Sequence, residues 1–327
     1  MSIGMKTRLS QLFREIEVDL GSTHLSLMVL ESLEDAVKDL RAKDLHDFFK
    51  QLLELADIIN NTEPRFAVVI DGFYEVLKLA YEEEMHHPEK NYPLQKSKFI
   101  QKLEKVIQSK KVEEKVLIKH AKAAIKVDGM GILIHDHSST IENVLIQMKR
   151  KGRKFTVIVA EQDPDKTGAI IEYLTANEIP FRVVPAYMVS HLDDCIDMVF
   201  LGALTLKSSM DFVMDTGSNA LVSQFHLLKK PIYMFMTTAK FSMWPSEKRT
   251  EIFTHTESRS HHCKPITFER IKFSHERVPL ELFSQIVTEK GILSPAAVQE
   301  LYANKLKDRV KRDHHFKTDL EKLLGKE

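Results

Sequence analysis

Beyond Gly129 the chain alternates short apolar runs with helix-like stretches, and this rhythm restricts the fold more than any other feature of the sequence. The runs are Gly131–Ile134, Phe155–Ala160, Phe181–Val184, Met198–Leu201 and Ile232–Met236. Each is too short for a helix and reads as a strand buried on both faces. Between them, Ser139 followed by Glu142 has the form of a capping box ahead of Val144 and Leu145. Lys166 to Asn177 and Ser218 to Leu228 are two further helical patterns. Strands alternating with helices predict right-handed crossovers and a mostly parallel sheet, an α/β fold. Ligands in such sheets bind outside the carboxyl ends of the strands. The loops that matter therefore follow Ile134, Ala160, Val184, Leu201 and Met236.

The first part of the chain reads differently. Leu33, Val37, Leu40, Leu45, Phe48, Leu52, Leu55 and Ile59 recur at helical spacing, with a break expected near Arg41–Asp44. Pro64 can open a third helix with Phe66, Val69, Ile70, Phe73, Leu77 and Ala80 as its buried stripe. His86, His87 and Pro88 read as a loop, and a Lys-rich fourth helix runs from about Leu94 to Val127. The expected division is a helical domain over 1–128 and a second domain over 129–327, the tail from Leu301 being charged and helical. With 43% apolar and 29% charged residues, the chain can bury a large core. Lys+Arg and Asp+Glu cancel at 47 each, so there is no global attraction to nucleic acid or anionic lipid. Only Cys195 and Cys263 are present, which excludes a disulfide framework and fits a reducing, cytoplasmic setting. No apolar stretch of about 18 residues exists, so no membrane span is expected. Met1 to Phe13 carries no uninterrupted apolar segment, so no signal peptide is expected either.

The strand-end loops carry the candidate chemistry. His135-Asp136-His137-Ser138-Ser139-Thr140 combines hydroxyls with a helix start, a setting for phosphate at His135, Ser138 and Ser139. A plain capped helix is the other reading. His135 and His137 alternate like metal ligands, but no third ligand is placed. Glu161 can accept hydrogen bonds from sugar hydroxyls, while Asp163 or Asp165 can simply cap the next helix. Gly202 permits close approach of a ligand. Asp215 can receive hydroxyls beside Gly217, Ser218 and Asn219, which form an anion nest or an ordinary cap. Lys240, at the last strand end, can neutralise a phosphate or stand solvated. His261-His262-Cys263 cannot all face one ion, and Trp244 beside Pro245 reads as packing. There is no GxGxxG, no P-loop and no GxSxG, so nucleotide use by those routes is unsupported.

The order of these pieces resembles the initiation factor 2B alpha/beta/delta family, closest in layout to its alpha-type regulatory subunit. The matching stretches are DGMGILIHDHSSTIENVL, RKFTVIVAEQDPDKTGAIIEYL, DMVFLGALTLKSSMDFVMDTGSNALVSQFHLLKKPIYMF, TTAKF and FERIKFSHERVPLELFSQIVTEKGILSPAAVQEL. The family also holds methylthioribose-1-phosphate isomerase and ribose-1,5-bisphosphate isomerase. The resemblance implies a helical N-terminal domain and a Rossmann-like C-terminal domain, a homodimer through the latter, and protein partners in the translation machinery. The isomerases carry a cysteine in the loop occupied here by His135 to Thr140, which has none. Their Gly-Ala-Asp motif reads Gly202-Ala203-Leu204, and their Asn-Lys-Ile-Gly-Thr loop reads Met214-Asp215-Thr216-Gly217-Ser218. A front-half Arg-Pro element corresponds to Glu63-Pro64. Moving a hydrogen between adjacent carbons needs a positioned donor and acceptor, and losing one costs about 10²–10⁴ in rate. The resemblance thus implies a non-catalytic regulatory protein, with a phosphosugar or nucleotide in a remnant cleft and no cofactor or metal. Two alternatives stay open: an isomerase-like enzyme in which Glu161, Asp215 and Lys240 converge with His135 as base, and an interaction protein that has lost the cleft.

Overall fold

The computed structural model describes residues 3–62, 65–86, 92–135, 137–161, 164–244, 252–261, 264–273 and 275–323. Four long helices come first: α1 (Ile3–Asp39), α2 (Leu45–Asn60), α3 (Ala67–His86) and α4 (Tyr92–Ala124). The break falls where expected, with Asp44 capping α2 by accepting the Asp47 N–H at 2.8 Å. Leu33, Val37, Phe48, Leu52 and Ile59 are buried together, with Leu40 and Leu55 partly so. Phe48 meets Phe99 of α4 edge-to-face at 5.2 Å. Pro64 lies outside the described residues, and α3 begins at Ala67 with its expected stripe buried. His87 and Pro88 also lie outside them. Helix α1 starts far earlier than the hydrophobic spacing indicates and is broken at Gly21, whose φ of 79° and ψ of 160° are not helical.

The remainder alternates: β1 (Met130–Ile134), α5 (Ser139–Arg150), β2 (Phe155–Glu161), α6 (Pro164–Ala176), β3 (Phe181–Pro185), a 3₁₀ stretch (Ala186–Cys195), β4 (Met198–Gly202), β5 (Thr205–Leu206), β6 (Asp211–Met214), α7 (Ser218–Leu227) and β7 (Ile232–Phe235). After a 3₁₀ turn at Thr238–Lys240 come β8 (Ile252–His261), β9 (Lys264–Phe273), β10 (Glu276–Pro279), a 3₁₀ turn at Leu280–Leu282, β11 (Gln285–Thr288), β12 (Gly291–Leu293) and α8 (Pro295–Leu323). The five runs seen in the sequence are five strands of a seven-stranded sheet ordered β12-β11-β7-β4-β1-β2-β3. All neighbours in it are parallel except the β11–β12 pair at one edge.

Strands β1, β2, β4 and β7 are covered on both faces, which is why their runs are mostly apolar, whereas β3, expected to be buried likewise, forms the edge of the sheet and exposes Arg182 and Val183. Leu133, Ile158, Val199, Leu201 and Met234 face Leu221 and Phe225 of α7 and Tyr302 of α8. Ile132, Ile134, Val157, Val159 and Phe200 face Leu117 of α4, Val144 of α5 and Leu174 of α6. Fully burying side chains of this size stabilises by about 1.5–3 kcal/mol each. Strands β10-β6-β5 form a small antiparallel sheet, and β8 pairs with β9 as a long hairpin. Among the described residues, no helix is long and apolar enough to cross a membrane.

Candidate functional site

The chain order reverses at β1, whose neighbours are β2 on one side and β4 on the other. This switch point is where an open α/β sheet leaves a crevice at its carboxyl edge. A cleft of about 520 Å³, including its open mouth, lies there. Five expected residues line it: Ser138 and Ser139 after β1, Gly202 at the end of β4, Asp215 after β6, and Lys240 in the 3₁₀ turn after β7. Lys240 is 6% exposed and donates from Nζ to the Ala203 carbonyl at 2.9 Å. Its turn is held by Glu289, which accepts from the Thr238 N–H at 3.0 Å and the Thr238 hydroxyl at 2.6 Å.

The other five are placed elsewhere. Glu161 ends β2 and is exposed, outside the cleft lining. His135 is 2% exposed, with Nδ1 3.2 Å from the Ala160 carbonyl and Nε2 3.1 Å from the Thr216 carbonyl. It pins the β1, β2 and β6–α7 ends together beneath the site. Gly217, at φ 96°, precedes α7, and a Cβ there would stand 2.9 Å from His135 Nε2. Ser218 is fully buried, and the Asn219 N–H donates to Glu276 Oε1 at 2.5 Å. The anion nest expected at Gly217–Asn219 is therefore occupied by the chain's own carboxylate from β10. Burial pushes the Glu276 carboxyl up, while the Asn219 and Gly217 N–H groups and the nearby His135 pull it down.

The local signal at α5 also resolves differently from the expected capping box. Ser138 is the cap residue and makes no side-chain cap bond, while Glu142 pairs with His137, Oε1 to Nε2 at 2.9 Å. Ser139, the expected cap, is already the first residue of the helix. Across the cleft, Lys166 Nζ lies 2.6 Å from Asp215 Oδ2. The cleft is completed by residues from the other half of the chain: Gly21, Ser22 and Thr23, at the break in α1. A Cβ on Gly21 would lie 3.6 Å from Ser139 Oγ, so the break fits directly over the Ser138–Ser139 loop. A lone Gly followed by Ser and Thr inside a helical pattern is the signal that marks this break. Nothing local ties it to a loop more than a hundred residues on.

The side chains that proton transfer would need are distributed as follows. Leu204 lines the cleft. Cys195 is exposed, and its carbonyl packs on Gly131 at the amino end of β1, the sheet edge opposite the cleft. Cys263 and His262 lie outside the described residues. Among the described residues, no group of three or more His, Cys, Asp or Glu is arranged to hold a metal ion.

Comparison with known proteins places this geometry. Residues 18–295 match the initiation factor 2 subunit family. The chain belongs to that family. It is 24% identical over 304 residues to translation initiation factor eIF2B subunit alpha of Dictyostelium discoideum, covering 88% of this chain and 91% of that protein. It is 25% identical over 306 residues to ribose 1,5-bisphosphate isomerase of Pyrococcus furiosus, covering 86% and 88%. The fold is that of a chain in the tetrameric eIF2B-beta2-delta2 complex from C. thermophilum (TM-score 0.70, 16% identity, 91% and 93% covered). It is also that of 5-methylthioribose 1-phosphate isomerase from Pyrococcus horikoshii OT3 (TM-score 0.65, 14% identity, 91% and 87% covered). Relatives of both kinds, initiation-factor subunits and isomerases, thus share this architecture.

Proposed function

We propose that the protein is an initiation factor 2B alpha-like regulatory subunit that binds a phosphosugar or nucleotide in the cleft without isomerising it. The supporting observation is Leu204: an aliphatic side chain lines the cleft at the position where the isomerases of the resemblance carry an aspartate. Leucine can neither donate nor accept a proton, and the His135–Thr140 loop supplies no thiol. The polar wall suits a small anion bearing hydroxyls: Ser138, Ser139, Ser22 and Thr23 offer hydroxyls, and Lys166 and Lys240 offer charge. In this reading the protein works in the cytoplasm, in a helical domain (1–128) and Rossmann-like domain (129–327) arrangement. It assembles as a homodimer through the second domain and docks on the translation machinery. The test is a pair of measurements on the purified chain. Ribose 1,5-bisphosphate and methylthioribose 1-phosphate are expected to remain unconverted, and a panel of sugar phosphates and nucleotides is expected to raise the melting temperature. A ligand at 100 times its Kd stabilises by about 2.7 kcal/mol. Robust turnover defeats the reading, and so does a panel with no shift.

The alternative, an isomerase-like enzyme in which Glu161, Asp215 and Lys240 converge with His135 as base, keeps only Asp215 and Lys240 in the cleft lining, since Glu161 is exposed outside it and His135 is buried against the Ala160 and Thr216 carbonyls. Turnover abolished by Asp215→Asn would decide for it.

A further inference from the structure

We infer that the β8–β9 hairpin is an arm that binds single-stranded RNA along one face, where the backbone register gathers Arg259, Lys264, Arg270 and Lys272 with Phe253 and Phe268. The two strands run antiparallel over ten residues each and, among the described residues, form a two-stranded sheet of their own. At roughly 3.4 Å per residue the ribbon is about 34 Å long. Residues directly opposite one another across such a pair share a face, and so do residues two apart along a strand. On one face Phe253 stands opposite Lys272, His255 opposite Arg270, and Glu257 opposite Phe268. Arg259 opposite Ile266 and His261 opposite Lys264 complete it. All four Lys and Arg residues of the two strands fall on this face. The other face receives none of them. Thr254, Thr256, Ser258, Ser260 and Thr267 fall there instead, with Glu269 and the apolar Ile252, Ile271 and Phe273.

A chain whose charges cancel overall thus sets four permanent cations against one carboxylate on one side of a ribbon. The complementary ligand is a polyanion. The aromatic positions decide which polyanion. Phe253 and Phe268 alternate with the cations along the ribbon, and Phe268 is 39% exposed. Single-stranded nucleic acid uses both features, its bases stacking on aromatic rings while cations follow its phosphates. An acidic peptide would be met by the cations alone and leaves the aromatic positions without a use. A lipid surface needs the apolar residues gathered on one face, whereas here they are divided between the two. Glu257, the one carboxylate on the cationic face, supplies an acceptor for a ribose 2′-hydroxyl, a group that DNA lacks.

The test is fluorescence anisotropy of a labelled RNA of about 12 nucleotides titrated with the full chain. Salt is varied from about 50 to 200 mM. Affinity is expected to fall by up to about 50-fold across that range, at about 0.7 counterions released for each of the phosphates the four cations hold. Arg259→Gln combined with Arg270→Gln should weaken binding by about tenfold or more and halve the salt slope. Arg259→Lys with Arg270→Lys should retain binding, which separates lost charge from lost fold. Phe268→Leu should weaken binding about five-fold or more and leave the slope as it is. Thr256→Val with Ser258→Ala, on the other face, should change neither. DNA of the same sequence should bind more weakly, and Glu257→Ala should narrow that gap. No binding of RNA at the lowest salt overturns the inference. So does binding undiminished by the paired Gln substitutions, and so does equal or tighter binding of the DNA, of poly-glutamate or of vesicles containing phosphatidylserine.

Discussion

Gly217 has a φ of 96°, and its missing side chain makes room for the ring of His135. Two demands meet at this position. An L-residue in the left-handed region costs roughly 1–2 kcal/mol. An added Cβ would also lie 2.9 Å from Nε2 of a buried ring packed 3.2 Å from the Ala160 carbonyl and 3.1 Å from the Thr216 carbonyl. Gly217→Ala is accordingly expected to destabilise by more than the backbone cost alone, and a urea or thermal melt against the wild type measures it. A loss under about 1 kcal/mol would mean that His135 moves freely and is no anchor. Gly131 shows the same logic at the other edge of the sheet, where a Cβ would stand 1.8 Å from the Cys195 carbonyl. This glycine is what lets the long 3₁₀ stretch press against β1.

Among the elements, α7 shows how a helix end can be sealed from a distance. Its N–H groups are met by Glu276 from β10, 57 residues beyond Asn219. Hydrogen bonds to charged groups are worth roughly 1.5–3 kcal/mol, and Glu276 is half-buried, so the lower end applies. Glu276→Ala should cost about that much, and added sulfate should recover part of the loss by seating in the vacated helix end. Melts with and without sulfate check this, with chloride at equal ionic strength as the control. The wild type provides the second control, since its helix end is already filled. The same contrast explains what the sequence made legible. Strands β1, β2, β4 and β7 are readable because burial on both faces leaves a nearly unbroken apolar record, and β3, at the sheet edge, is readable from a short run that Arg182 interrupts. Strand β6, buried on alternate residues, and the two-residue β5 leave no such record. Hairpin β8–β9 is largely polar along its first strand. The loops at Ser138, Gly202 and Lys240 follow from topology alone, while Asp215 is marked by the helix start at Gly217–Asn219. The contribution of Gly21 to Thr23, and the filling of the α7 end by Glu276, are contacts between distant segments. Local pattern does not encode them.

At the scale of the whole molecule, Asp71 joins the two halves. It lies on α3 with 7% of its side chain exposed, 3.3 Å from Lys110 of α4 and 3.1 Å from Lys305 of α8. Arg309 of α8, 4.0 Å from the same carboxylate, stacks 3.5 Å above the Tyr74 ring. Burial alone would raise the Asp71 carboxyl, but Lys305 and Lys110 outweigh it and hold the group below its ordinary 3.8. Its contribution to stability is therefore complete above that value and is lost as pH falls below it. Glu113 is the reverse: burial first, then the charges of Glu289 and Asp71, raise it despite the 3.6 Å contact with Lys110. A raised carboxyl destabilises the fold at neutral pH and ceases to do so as it protonates. The two substitutions should thus differ in sign. Asp71→Asn is expected to cost about 3–5 kcal/mol at pH 7, since it strands buried cations. Glu113→Gln is expected to be neutral or stabilising, and paired denaturation curves at pH 7 decide. Lys305 also donates to the Thr238 carbonyl at 2.8 Å, two residues before Lys240. One ammonium thus bridges the helical bundle and the rim of the crevice. Calorimetry is expected to record a single endotherm for the intact chain, and Asp71→Asn, which takes out that ionic rivet, is expected to broaden or split it.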